Sequence, residues 1–354
     1  MKNLRPSIIN YLFFVFLSVF IILSFNSVSN AQSSGQVPGD SLGLKSDADL
    51  WRYIRQGNKG NTQLKNELSS VMIQSEGDNW RSVRNGPLSR YGAYGIIGII
   101  ILLVWFYSYR GRIEIEKGAS KKKILRFTAI ERFAHWLMAG SFIILAITGL
   151  NMLYGKYILL PIIGPDAFSA FTIAGKYAHN FLAFSFMVGL GLSFVCWVVH
   201  NIPSKLDIVW LQQGGGMFDK SLHPPAKKFN AGQKIVFWAV MLGGLSISLS
   251  GWALLFPYET VMMAKTFGWL NMIGFNLPTD LTLLEEQQLQ QVWHAIVGLI
   301  LIILIIAHIY IGSVGMQGAI DAMYTGEVDR NWAEEHHKLW VEEEDNKSQK
   351  QPAE

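Results

Sequence analysis

Residues 292–312 read VWHAIVGLILIILIIAHIYIG, an apolar run with two histidines, His294 and His308, and no charged side chain. As a helix with about 1.5 Å and 100° per residue, their fourteen-residue spacing puts them about 21 Å apart, within about 40° of one face. A hydrocarbon core is about 30 Å thick, so one helix presents an imidazole near each side of a membrane. Ionisable groups at such depth are costly and mark function. Two more histidines, His135 and His179, open other apolar runs. Two ligands on one helix and two partners elsewhere predict a transmembrane pair of haems.

The 354-residue chain is 50% hydrophobic and 16% charged, with a positive mean hydropathy. Length alone suggests two or three soluble domains, but the long apolar runs override it. Cys196 is the single cysteine. That excludes a disulfide framework, a Cys-ligated iron–sulfur cluster and C-x-x-C-H attachment, so any haem is held non-covalently. The net charge of +4 is modest, and its distribution carries more information than its size.

Residues 1–31 have a basic start (Lys2, Arg5), an apolar stretch and Ser29-Asn30-Ala31, the pattern of a signal peptide. An uncleaved anchor is the alternative. Residues 32–90 are polar and read as a small extracytoplasmic N-terminal segment. Apolar runs follow at 91–109, 133–155, 177–199, 235–256 and 292–315, each long enough for a membrane helix. The first is an extra transmembrane helix; 133–315 form a four-helix membrane domain. The loop at 110–132 is dense in Lys and Arg, as is the loop from 200 to 234, and both are expected in the cytoplasm. Loops at 156–176 and 257–291 are poorer in basic residues and should face outward. The charged tail, 316–354, is then cytoplasmic.

These depths allow one pairing: His135 with His308 near the cytoplasmic side, and His179 with His294 near the outside. Each pair can supply both axial ligands of a b-type haem, as neutral imidazoles in apolar surroundings. The alternatives are helix–helix hydrogen bonding, a proton relay, or a plain metal site, which lacks a carboxylate or thiol at the same depth. His336-His337 invite a metal reading, but a solvated tail or partner contact is the simpler expectation. Glycines such as Gly149, Gly189, Gly244 and Gly251 suit close helix packing, and Trp136, Trp197, Trp238, Trp252 and Trp293 suit membrane interfaces.

The stretches Glu131-Arg132-Phe133-Ala134-His135-Trp136, His200-Asn201-Ile202-Pro203-Ser204-Lys205-Leu206-Asp207-Ile208, Lys228-Phe229-Asn230-Ala231-Gly232-Gln233-Lys234 and Trp332-Ala333-Glu334-Glu335-His336-His337-Lys338-Leu339-Trp340 share a resemblance. Together they resemble the cytochrome b (gamma) subunit of respiratory membrane-bound formate dehydrogenases, over about 120–340. Di-haem cytochromes b of nickel–iron hydrogenases share the four-span logic, and a subunit of such a hydrogenase or of another periplasmic oxidoreductase is the alternative, with a haem-free transporter or membrane anchor behind it. Inverted repeats or broken helices would favour a transporter, and none is convincing. The best-known members have four spans and a cytoplasmic N-terminus; this chain adds the signal-like start, the exported segment and a span. Some members carry a stretch similar to Gly77-Asp78-Asn79-Trp80-Arg81-Ser82-Val83-Arg84-Asn85-Gly86-Pro87.

The resemblance implies an all-α membrane protein, a di-haem cytochrome b four-helix bundle with one additional N-terminal helix. It implies that His179 and His294 ligate an outer haem b, and that His135 and His308 ligate an inner one. It implies a menaquinone or ubiquinone site beside the inner haem, using Asn230, Gly232, Gln233 and His308. The implied partners are an iron–sulfur (beta) subunit and a molybdopterin catalytic (alpha) subunit, in a bacterial inner membrane. Electrons from formate would arrive outside and reach quinone near the cytoplasm.

Overall fold

The structure, a computed structural model, describes residues 77–217, 222–257 and 259–350. The signal-like start at 1–31 and the exported segment as far as 76 lie outside the described residues. Among the described residues, five helices are long and apolar enough to cross a membrane. They are α1 (Asn79–Arg110), α2 (Ala129–Ile158), α3 (Leu160–Trp197), α5 (Ala231–Leu255) and α7 (Leu283–Gly312). Short helices α4 (Lys205–Gln212), α6 (Met263–Met272) and α8 (Asp321–Tyr324) connect them. The C-terminal helix α9 spans Arg330–Lys350.

Helix starts follow from local chemistry. Thr128 with Glu131, Asn230 with Gln233, and Thr282 with Glu285 form reciprocal capping boxes that open α2, α5 and α7. Each satisfies backbone donors that a helix start leaves open, a contribution of about 1 kcal/mol. In α1, Pro87 lacks an N–H, and the chain passes it in a π-helical turn at Arg84–Leu88. The spans are apolar on their outer faces: Ile101 (α1), Val195 (α3), Leu242 (α5) and Ile300 (α7) are all exposed. This is the pattern of helices solvated by lipid.

α2, α3, α5 and α7 form the bundle, and α1 packs against α7. Glycines permit two close approaches. A Cβ on Gly189 of α3 would meet the Met138 backbone nitrogen of α2 at 2.6 Å, and one on Gly92 of α1 would meet Leu299 of α7 at 2.6 Å. Strand β1 (Lys123–Leu125) pairs antiparallel with β2 (Glu327–Asp329), with Ile124 opposite Val328. The sheet ties the chain after α7 to the chain before α2, at the end of the bundle where α2 begins.

Two expectations require correction. The 156–176 stretch is helical: α2 runs to Ile158, α3 starts at Leu160, and only Gly164 (φ 78°) before Pro165 breaks the geometry. A lack of basic residues marks a side of the membrane but does not stop a helix; Pro161 sits in the first turn of α3, where a missing N–H costs no helical bond, and Gly164 absorbs the one non-helical conformation. The 257–291 stretch likewise contains α6 and the first nine residues of α7. There Glu286, Gln287, Gln288 and Gln290 are buried, and Glu286 accepts from the N–H groups of Met263 and Ala264 at the start of α6. Glu286, satisfied by these N–H groups, lets α7 extend beyond its apolar section.

Candidate functional site

The bundle brings the four intramembrane histidines together in two pairs. His135 of α2 and His308 of α7 have ring centres 6.3 Å apart, with planes at 56°. His179 of α3 and His294 of α7 are 6.2 Å apart, at 60°. A metal–imidazole bond is about 2 Å and a ring nitrogen lies about 1 Å from its ring centre, so two imidazoles sharing one metal have centres about 6 Å apart. Both pairs meet that requirement, and the donor set suits a six-coordinate haem iron. Among the described residues no group of three His, Cys, Asp or Glu side chains could hold a metal ion.

The His179/His294 pair has supports that the sequence reading missed. The Thr148 hydroxyl lies 2.8 Å from the Ile144 carbonyl, to which it donates, and so accepts Nδ1–H of His179 at 2.8 Å. Ser250 donates to the Ile247 carbonyl at 3.1 Å and accepts Nδ1–H of His294 at 3.0 Å. Both rings are thereby held with Nε2 unprotonated and able to coordinate a metal. A glycine follows each hydroxyl: a Cβ on Gly149 would sit 3.6 Å from Cε1 of His179, and one on Gly251 would sit 3.2 Å from Cε1 of His294. The signal was present in the sequence as two hydroxyl–glycine dipeptides in uncharged spans. At the other pair, the buried Nδ1 of His135 has no partner among the described residues.

The His135/His308 end is closed by a polar and aromatic layer. Glu131, one turn before His135, accepts from Lys228 Nζ (2.7 Å) and from Trp197 Nε1 (2.9 Å). Trp197, expected at an interface, is 5% exposed and belongs to the core, because Glu131 supplies its indole partner inside the bundle. Arg126 is buried among the rings of Phe127, Trp332 and Trp340, 5.1–5.3 Å from each. Burial lowers its pKa to about 9, against the pull of Glu131. A cavity of about 630 Å3 opens here, lined by Thr128, Glu131, His200, Lys228 and Lys234 among others.

His336 and His337 also correct an expectation. They are not in a solvated tail: His337 is 1% exposed, because Trp332, Ala333, Trp340 and Val341 give α9 an apolar face that joins the core. His336 packs against His223, whose Nε2 contacts Glu116 at 3.2 Å.

Asn230 and Gln233 stand at the start of α5, where each side-chain carbonyl accepts from the other's backbone N–H. Their amide NH2 groups are not used by the cap. Gly232 is not open space: its Cβ position faces the Trp210 ring at 3.1 Å. None of the three lines the 630 Å3 cavity.

The sequence model of the family described as prokaryotic cytochrome b561 matches residues 126–326, which include all four histidines. This chain belongs to that family. The cytochrome b561 assignment implies haem b. Its relatives include the cytochrome b556(Fdn) subunit of the nitrate-inducible formate dehydrogenase of Escherichia coli K12, 30% identical over 227 residues. That alignment covers 64% of this chain and 93% of the relative. The cytochrome b556(fdo) subunit of a formate dehydrogenase from the same strain is 28% identical over 221 residues, covering 62% and 92%. The formate dehydrogenase cytochrome b556 subunit of Haemophilus influenzae is 25% identical over 237 residues, covering 66% and 87%. The chain is thus an integral membrane cytochrome b with a redox role.

Proposed function

We propose that this cytochrome b is the membrane subunit of a formate dehydrogenase, carrying electrons from a periplasmic iron–sulfur subunit through two b haems to quinone near the cytoplasmic side. The observation that supports this best is the pair of facing imidazoles at each end of one bundle, with both ends served by α7. His179 and His294 would hold one haem, and His135 and His308 the other. Haem b between such imidazoles supplies one-electron transfer without net proton movement.

The residues around these sites act by binding, orienting and excluding water. Thr148 and Ser250 orient the outer imidazoles, while the apolar bundle keeps all four neutral. At the inner end the free amide NH2 groups of Asn230 and Gln233 would donate to a quinone carbonyl as negative charge develops on it. The cavity beside Glu131, Lys228 and Lys234 offers a route for water and protons from that surface. Formate oxidation on a molybdopterin partner releases CO2, one proton and two electrons. Quinone takes up those two electrons and two cytoplasmic protons. Each electron carried inward against a negative-inside potential stores about 2.3 kcal/mol per 100 mV.

The basic loops at 110–132 and 200–234 support a cytoplasmic position for the His135/His308 end. Reduced-minus-oxidised absorption spectra of native membranes test the proposal, with formate as reductant and with the gene present or deleted. A formate-reducible b-type band that disappears on deletion and returns on complementation is the expected result. A gene-dependent band reduced by hydrogen or dithionite but not by formate would assign the subunit to a different dehydrogenase.

A further inference from the structure

We propose that the two hydroxyl–glycine pairs, Thr148-Gly149 and Ser250-Gly251, hold the midpoint potential of the outer haem below that of the inner one. The inference rests on the reading in which His179 and His294 ligate one haem and His135 and His308 the other.

The two cradles are alike although they sit on different helices. Thr148-Gly149 of α2 serves His179 of α3, and Ser250-Gly251 of α5 serves His294 of α7. In each, the hydroxyl proton is committed to a backbone carbonyl of its own helix, so its oxygen acts as an acceptor toward the imidazole. The glycine lets the helix backbone lie against the ring edge, and at Gly251 a Cβ would already be crowded at 3.2 Å. A ring nitrogen that donates to an oxygen makes the opposite nitrogen a stronger electron donor. A stronger donor favours the ferric state and lowers the midpoint potential, one of the means by which a protein tunes haem.

Both outer ligands receive this treatment. At the inner site the buried Nδ1 of His135 has no acceptor among the described residues, so its Nε2 remains the weaker donor. The difference makes electron passage from outer to inner site downhill: the outer site is oxidised, the inner site is reduced, and no proton is exchanged. That gradient works against the electrical cost of moving negative charge inward.

The test is potentiometric titration of the b-type absorption band in membranes holding the whole complex, from the parent and from Thr148→Val, Thr148→Ser, Ser250→Ala and His294→Ala. In the parent, the component that His294→Ala removes should be the one of lower potential. Thr148→Val and Ser250→Ala should each move that component to more positive potential and leave the other in place. Thr148→Ser, which keeps the hydroxyl, should match the parent. If Thr148→Val loses the outer haem while Thr148→Ser keeps it, the hydroxyl's positioning role is supported, and Ser250→Ala carries the measurement. An unmoved low component in Ser250→Ala and in any haem-retaining Thr148→Val overturns the proposal. So does loss of the higher component in His294→Ala. Retention of both haems in His294→Ala refutes the ligation reading itself, a separate failure from an unmoved potential.

Discussion

Arg126 donates from Nη2 to Nε2 of His337 across 3.0 Å, joining residues 211 positions apart in the chain. His337 in turn donates from Nδ1 to the Lys227 carbonyl at 2.8 Å, so the neutral ring is used on both sides. The same guanidinium donates to the Lys228 carbonyl at 2.6 Å. These contacts latch α9 onto the end of the bundle that holds His135 and His308. Loss of the guanidinium in Arg126→Ala should cost about 2–4 kcal/mol, combining lost ring contacts with unpaired buried acceptors. Thermal unfolding of the purified complex would register it.

The latch should weaken in acid. Burial, with Arg126 next in weight, holds the His337 pKa well below its usual value; burial, His223 and Arg126 lower that of His336 to about 4. Below about pH 6.5 an unlatched tail therefore takes up protons that the native one refuses, and native stability falls as pH drops from 6.5 toward 4. Limited proteolysis of α9 should accelerate between pH 7 and pH 5. In His337→Asn the tail should be looser at pH 7 and its pH dependence shallower. A parent rate unchanged across that range would contradict the burial of these rings.

Ligation predicts stoichiometry. Each of His179→Ala and His294→Ala should leave one haem per chain, lost from the same spectral component. His135→Ala and His308→Ala should remove the other component. Pyridine haemochrome quantitation with low-temperature spectra resolves the four cases.

Glu131 and Lys228 are a half-buried to buried ion pair at 2.7 Å, with side-chain exposures of 10% and 18%. Removal of one partner strands the other charge, so Glu131→Ala should cost about 3–5 kcal/mol. The double variant Glu131→Gln, Lys228→Met should recover much of that loss in a thermal unfolding assay. Additive losses would show that the pair is not coupled.

On the proposed quinone reading, Asn230 has two separable tasks. Its side-chain oxygen accepts the Gln233 N–H at 2.9 Å, which Asp can also do, whereas only Asn presents an NH2 donor. Asn230→Asp should keep folding and haem content and reduce quinone-coupled turnover by tenfold or more (about 1.4 kcal/mol per tenfold). Asn230→Ala should in addition lose about 1 kcal/mol of stability from the cap. Normal quinone reduction by Asn230→Asp would remove Asn230 from the quinone site.

Helix contact at Gly189 should be unforgiving, because a Cβ there meets backbone rather than a flexible side chain. Gly189→Ala is expected to push α2 and α3 apart and lower the yield of haem-loaded complex, whereas Gly140→Ala, with no atom within 4 Å of the added carbon, should be tolerated.

The membrane class, the number of described spans and the four histidines were legible in the residues themselves. Long apolar runs and intramembrane imidazoles carry strong energetic penalties unless they span and function, so they signal without any knowledge of the fold. Helix limits were less legible. α7 begins at Leu283, at the Thr282–Glu285 capping box and with Glu286 partnered by the start of α6, and the helical geometry of α3 runs from Leu160 through Pro161 and resumes after the break at Gly164. Only tertiary structure could bring Thr148 to His179, Ser250 to His294 or Arg126 to His337. These are contacts between different helices, or between a loop and a tail, and a hydrogen bond depends on where two side chains meet rather than on their separation in sequence. Chain order determined which groups enter the membrane; the packing of helices decided which of them face one another.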